Sequence, residues 1–408
     1  MKKLLLKNYA KLIAVVGGNI RRGQDVEIFA EPDQPEFITL LVEECYRAGA
    51  RSVRVEWSCQ RLERLAARFE SQKSLSAVSS WEEEQLKYRA EKLPVRIKII
   101  SADPDGMKGV DRSKLTRAAA VRSLIQKPYQ DQMTNRYQWC VAAVPSVGWA
   151  KKIFPDERAN TAEEKLWQLI LEASRSAGKD PLTDWMWHNR ALRERCEKLN
   201  AMSLASLEYK SSNGTDFSLS LLPEAEFIAG KKVTAQGNYF NPNIPTEEVF
   251  TTPHKFSANG VIRATRPLSY EGELIEDFWL RFENGKAVEW GAEENETLLG
   301  DIIGMDEGSC YLGECALVPS DSPINKSGVL FYNTLFDENA ACHLALGRGY
   351  TNTVKNFAAY SREDFAAMGI NDSSVHVDFM VGTRDLQIIG VTRTGERVSV
   401  FERGNWAF

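Results

Sequence analysis

The sequence contains no G-x-G-x-x-G loop, no HExxH pair, no G-x-S-x-G elbow and no CxxC pair. Each absence removes a mechanism. Without a glycine-rich turn between a strand and a helix there is no dinucleotide cradle, and Gly17-Gly18-Asn19 does not follow a strand. Without HExxH a thermolysin-like zinc protease is excluded, and without the elbow an α/β-hydrolase nucleophile is disfavoured. The cysteines are seven: Cys45, Cys59, Cys140, Cys196, Cys310, Cys315 and Cys342. An odd number at irregular spacing supports neither a disulfide framework nor a four-cysteine zinc site. It reads as reduced, buried thiols in a cytoplasmic protein. No apolar run reaches the about 18 residues of a membrane span. The opening MKKLLLKNYAKL reads as an amphipathic helix, because Lys7 and Lys11 interrupt the apolar run that a targeting segment needs. The formal net charge of −5 is spread over mixed signs, which argues against nucleic acid or an anionic membrane as partner.

What is present is an ordinary globular composition over 408 residues, enough for two domains. In the first half strand and helix patterns alternate. DVEIFA (25–30), SVRVEW (52–57), VRIKIISA (95–102) and WCVAAVPS (139–146) read as strands. Helical stretches lie between them at 35–50, 61–72, 80–91 and 114–126. That rhythm predicts a mainly parallel sheet with crossover helices. Residues 161–200 read as helical throughout, and Trp185, Trp187 and His188 within them read as packing. From about 203 the pattern changes to short strands and Gly/Asn turns, with hairpins turning at Asn213-Gly214 and Thr394-Gly395. Helices are expected again near 293–304 and 333–346. The expected organisation is an α/β domain over 1–200 and an α+β domain with largely antiparallel sheet over 201–408, the boundary falling near 195–205.

The chain has four histidines, and two of them, His343 and His376, stand close to acidic residues near its end. In SVHVDFMVG, alternation puts His376, Asp378 and Met380 on one face and Val375, Val377 and Phe379 on the other. Taken alone, such a pair is more often structural, a buried imidazole with a carboxylate partner, so the case for a site has to come from other segments. In LFDENAACHLALGRGY a helix is expected from Asp337 to the glycines, with His343 on its apolar run. Glu338 would then point about 140° away from His343, so a common site is open only at its rim or if the helix starts between them. SCYLGECALVP carries Glu314 in an apolar extended run, flanked on its face by Leu312 and Ala316; Gly313 permits close backbone approach. NPNIPTEEVFTTP offers Glu247 and Glu248, which face opposite sides of an extended segment, so only one can serve a given site.

Together these segments supply hard carboxylate oxygens and borderline imidazoles from apolar surroundings. That donor mixture suits two divalent cations such as Zn²⁺, Co²⁺ or Mn²⁺, with Mg²⁺ possible. Paired ions activate water and polarise a carbonyl, which is machinery for amide hydrolysis.

The stretches NIPTEEVFTTP, the glutamate of LGEC, LFDENAACHLALGRGY, HVDFMVGT and the ending FERGNWAF resemble the metallo-aminopeptidases typified by aminopeptidase T, aminopeptidase S and PepS. The resemblance spans essentially the whole chain, and residues and spacing agree. It implies Glu248, Glu314, Glu338, His343, His376 and Asp378 as metal ligands and a catalytic hydroxyl at Tyr350. It also implies a cytoplasmic homodimer that removes N-terminal residues from peptides with a free amino end. On this reading Glu314 bridges two ions and Glu247, adjacent to Glu248, supports the site or shuttles a proton. Two alternatives stand beside it: another binuclear hydrolase, an amidase or phosphoesterase, and a non-catalytic protein whose His/carboxylate cluster is structural.

Overall fold

The computed structural model describes residues 3–270 and 272–408. It divides into two compact units, Met1–Trp187 with Lys231–Pro245, and His188–Gly230 with Thr246–Phe408. The sequence suggested a single break near 195–205. The division instead falls inside the helix Pro181–Ala201, and residues 231–245 return to the first unit. They return because they extend the edge of its sheet: Val141 N donates to Pro242 O (2.7 Å) and Ile244 N to Val141 O (3.0 Å).

The first unit holds a four-stranded parallel sheet of β1 (Asp25–Ala30), β2 (Ser52–Trp57), β3 (Val95–Ile100) and β4 (Trp139–Ala143), in the order β2-β1-β3-β4. Val26, Ile28, Val95, Ile97 and Ala142 are fully buried, the pattern of a sheet covered on both faces by its crossover helices. The helix Pro35–Ala48 shows how sequence sets an element. Pro35 opens it, where a missing N–H costs nothing, and Gly49 closes it at φ 110°, a left-handed position. Between them Phe37, Ile38, Leu41 and Cys45 form the buried stripe. Truncating Leu41 to Ala there would cost about 2–5 kcal/mol. The helix expected over 114–126 runs from Arg112 to Met133. The helical stretch expected over 161–200 is two helices, Ala159–Ala173 and Pro181–Ala201. Arg175 at φ 53° interrupts them, and Asp180 accepts from Thr183 N and Oγ1 at the second start.

The second unit is built on antiparallel sheet, as expected. Eight strands form one sheet, which includes both predicted hairpins: Leu204–Lys210 pairs Asp216–Ser220, and Gln387–Thr392 pairs Arg397–Glu402. A second, four-stranded sheet orders His376–Met380, His343–Gly347, Leu312–Leu317 and Val249–Thr251. All seven cysteines are unpaired, and six are buried. No helix among the described residues is long and apolar enough to cross a membrane.

One expected element is overturned. Residues 337–346 are not a helix. A single turn, Thr334–Asp337, is capped by Asn333 and followed by a 3-10 turn, Glu338–Ala340. Ala341 is then extended, and His343–Gly347 is a strand buried along its whole length. A five-residue apolar run looks the same to periodicity in a buried strand as in a helix. Pairing on both sides decides for the strand.

Candidate metal centre

The four-stranded sheet sorts its side chains by pleat. Cys315, Leu317, Leu344, Leu346, Val377 and Phe379 enter the unit's core. Residues directly opposite one another share a face, and Glu314 stands opposite Ala345, which stands opposite Asp378. His343 and His376 lie two residues from Ala345 and Asp378, hence on that same face. Ala345 leaves only a methyl in the middle of the row. The non-core face therefore gathers Glu314, His343, His376 and Asp378 from three strands. The Val249–Thr251 strand brings Glu248 to the same place, with Glu248 Oε2 3.3 Å from His343 Nε2.

A bulge between Leu312 and Glu314 corrects one detail of the sequence reading. Leu312 does not flank Glu314; it lies with Leu346 in the core. The bulge is possible because residue 313 is glycine. A Cβ there would sit 2.3 Å from Arg348 O. Glu314 is 3% accessible, between two strands.

Among the described residues two triads of donor atoms occur, the atoms of each lying within 4.8 Å of one another: Glu248, Glu314 and His343, and Glu314, His376 and Asp378. Glu314 belongs to both. Its Oε2 is 3.0 Å from His376 Nε2, and Asp378 Oδ1 is 3.4 Å from the same nitrogen. Both imidazoles are anchored alike. His343 Nδ1 lies 3.1 Å from Ala341 O, and His376 Nδ1 2.7 Å from Arg348 O. A carbonyl only accepts, so each Nδ1 carries the proton. Each Nε2 is left facing carboxylates.

The electrostatics follow from burial and crowding. Burial pushes Glu314 up to about 7, against the pull of His376. Burial alone would lower both histidines. Glu248 with Glu314 outweighs it at His343, which rises to about 10. Asp378 with Glu314 does so at His376, which rises to about 11. Burial also opposes ionisation of Asp378, but His376 holds it below the usual carboxylate range. Glu338 is raised well above its ordinary value by burial and then by Asp378 and Glu248. Glu338 therefore borders the cluster without belonging to either triad. The strand at 343–347 removes the helical geometry that had separated it from His343.

Tyr350 follows the strand's glycines, and its ring packs at a tilt 4.8 Å from that of His376 and 5.4 Å from that of Phe250. Its backbone is clamped by Thr252, whose Oγ1 accepts from Tyr350 N and donates to Tyr350 O, both at 3.0 Å. Burial, then Glu314 and Asp378, push its phenol far above the ordinary range, so it stays a hydrogen-bond donor. Glu247 is buried, and its N donates to Asn339 Oδ1 at 2.6 Å. Sequence reasoning missed Asn339, Thr252 and the carbonyls of Ala341 and Arg348. Backbone acceptors carry no sequence signal. Asn339, fully buried within the DEN run, offered one: a buried amide needs partners.

The family model described as thermophilic metalloprotease (M29) matches residues 2–406. The chain belongs to the M29 metallopeptidases. Its M29 relatives include aminopeptidase AmpS of Bacillus subtilis (strain 168), 38% identical over 99% of this chain and 98% of that protein. Aminopeptidase T of Thermus thermophilus is 37% identical over 98% of each chain. The solved structure of wild-type AmpT from Thermus thermophilus superposes with a TM-score of 0.92 at 36% identity, covering 99% of both chains. This M29 chain is thus a metal-dependent aminopeptidase, a hydrolase of peptide bonds. The donor set fits the divalent ions that its M29 membership implies. Carboxylates and imidazoles are their ordinary ligands, and Asp378 Oδ1 is buried without a well-formed hydrogen bond, its nearest partner being His376 Nε2 at 3.4 Å.

Proposed function

We propose that Glu248, Glu314 and His343 hold one divalent ion, that Glu314, His376 and Asp378 hold a second, and that Glu338 completes the cage. The membership of Glu314 in both triads carries this reading. Charge is consistent with it: four carboxylates with two neutral imidazoles carry −4, which two divalent cations balance, whereas with one cation protons on the raised groups Glu338, Glu314 or an imidazole must make up the rest. Zn²⁺, Co²⁺ and Mn²⁺ suit the donors, and Mg²⁺ fits less well because it favours oxygen ligands.

When bound, such ions supply Lewis acidity, lowering the pKa of water and polarising a carbonyl. The chain's own groups do the rest. Ala341 O and Arg348 O keep the imidazoles in the Nδ1–H tautomer, with Nε2 available as ligand. Selection for a free N-terminus rests on the amino group itself, which in its neutral form offers a lone pair that a blocked amino end lacks. Tyr350, protonated and clamped by Thr252, donates a hydrogen bond to the oxygen on which charge develops as the first peptide bond is attacked. Glu247, buried beside Glu248, holds or passes the proton destined for the leaving amine. We infer a homodimer from the family resemblance, and a cytoplasmic setting from that resemblance with the six buried, unpaired thiols.

The test is metal content against activity. Chelator-dialysed protein, reloaded stepwise, should regain hydrolysis of leucyl- and arginyl-substrates only as occupancy rises towards two ions per chain. Peptides with a blocked amino end should stay intact throughout. Full activity at one ion per chain would remove the second ion from the reading.

A further inference from the structure

The first unit contains a cavity of about 540 Å³. It is lined only by residues that follow the four parallel strands: the segments around 31–33, 59–64, 101–106 and 146–148. In the order β2-β1-β3-β4 the chain winds one way from β1 and the other way from β3, so the crevice beyond their carboxyl ends is the topological switch point. Ligands of open α/β sheets bind there, because the loops diverge and leave a gap.

The loops are tied to one another around that gap. Gln60 clips the β2 loop to the β3 loop, donating to Asp103 O (2.9 Å) and accepting from Asp103 N (3.2 Å). Ser101 Oγ donates to Asp33 Oδ2 (2.8 Å), joining the β3 and β1 loops. Lys152 holds Asp105 at 2.9 Å. Two glycines keep space open. A Cβ at residue 148 would meet Asp103 Oδ2 at 2.4 Å, and one at residue 106 would meet Gln60 Oε1 at 2.0 Å. A rim fixed in this way is pre-organised, so a ligand would not have to pay for ordering it.

Its charges are of both signs. Glu31, Asp33 and Asp103 have no ion-pair partner among the described residues, whereas Asp105 is neutralised by Lys152. Burial and then the charge of Asp33 raise Glu31 above its ordinary value, a destabilisation that a bound cation relieves. On the β2 side stand Arg61 and Arg64. Arg64 donates to Gly106 O at 3.1 Å, and Arg61 makes no ion pair among the described residues.

We propose that this cavity is a second ligand site, separate from the metal centre, which takes a small zwitterion of amino-acid to dipeptide size. The ammonium sits among Glu31, Asp33 and Asp103, and the carboxylate at Arg61 and Arg64. Free amino acids, which an aminopeptidase releases, have this chemistry. The ligand contacts here come entirely from the first unit, so the site stands or falls independently of the two-ion reading.

Isothermal titration of the full chain, in metal-loaded and chelator-stripped forms, tests it with L-leucine, N-acetyl-L-leucine, isoamylamine and MgCl₂. L-leucine should bind the chelator-stripped form, where the metal centre cannot hold it as product, and keep that binding in the loaded form; the two half-ligands should bind the stripped form at least about 10-fold more weakly, as expected when one of two charged contacts is lost. Asp103→Asn and Arg61→Ala should each weaken L-leucine by a similar factor, with Glu31→Gln as a second acidic variant should Asp103→Asn fail to fold. Basal peptide hydrolysis should be unchanged. Binding that disappears with the metal, that ignores all three substitutions, or that is absent altogether would overturn the site. Heat from Mg²⁺ alone, sensitive to Asp103→Asn, would make it a cation site instead.

Discussion

The protein contains two four-stranded sheets, each burying a carboxylate in mid-strand, and the two glutamates have opposite meanings. In the parallel sheet Glu27 of β1 is 2% accessible, with Arg89 Nε 2.8 Å from its Oε2. In the antiparallel sheet Glu314 is equally hidden, but its nearest partners are the imidazole of His376 and other carboxylates. A guanidinium is permanently charged and has no lone pair to offer a metal, so the first pair neutralises its own charge and gives a cation no second ligand, even though Glu27 Oε1 makes no hydrogen bond. An imidazole can give up its proton and keep a lone pair, so the second is open to a cation. Burial of an acid does not mark a site; the identity of what faces it does.

The sharpest way to break this contrast is to remove the ions. Chelation should abolish activity while leaving the fold intact, and added Zn²⁺, Co²⁺ or Mn²⁺ should restore it; activity surviving complete removal would erase the distinction between the two sheets. Next, on the two-ion proposal, Glu314→Gln removes the carboxylate shared by both triads. It should lower kcat/KM by roughly 10³-fold or more, the scale on which loss of a central catalytic group acts, with both ions lost in metal analysis. Its counterpart Glu27→Gln should leave metal content and kcat untouched. It should cost about 3–5 kcal/mol in denaturant unfolding, as breaking a buried pair does. A Glu27 variant that loses metal would refute the comparison. Tyr350→Phe should lower kcat by about 10²-fold with little change in KM, the size of one lost oxyanion donor; an unchanged kcat would take Tyr350 out of the reaction.

The smallest effect is in protons. In the metal-free protein His343 and His376 are raised to about 10 and 11, so both are charged at neutral pH. Ion binding must displace those protons. Loading should therefore release protons into the buffer, and affinity should fall as pH is lowered. Calorimetry in buffers of different ionisation heat reads this directly; no proton release would contradict the assignment of the imidazoles as ligands.

Much of this was legible in the sequence because the physics was local. Alternating apolar residues gave the strands DVEIFA and SVRVEW. Turn chemistry gave the hairpin at Asn213-Gly214, and the pleat put His376 and Asp378 on one face. What was not legible depended on pairing. HLALG reads as helix or strand until the neighbouring strands take both its edges. The bulge at Gly313 shows only in the register, and it changes which side Leu312 faces. Residues 231–245 return to the first unit through backbone hydrogen bonds that carry no compositional mark. The site residues were findable one by one as acids and imidazoles among apolar neighbours. Their convergence needed the sheet order.

The most direct measurement of the central claim is anomalous scattering from a metal-loaded crystal, collected across the edge of the bound metal. Two peaks per chain are predicted, one against Glu248 and His343 and one against His376 and Asp378, with Glu314 touching both. A single peak, or ions bound away from Glu314, would contradict the account.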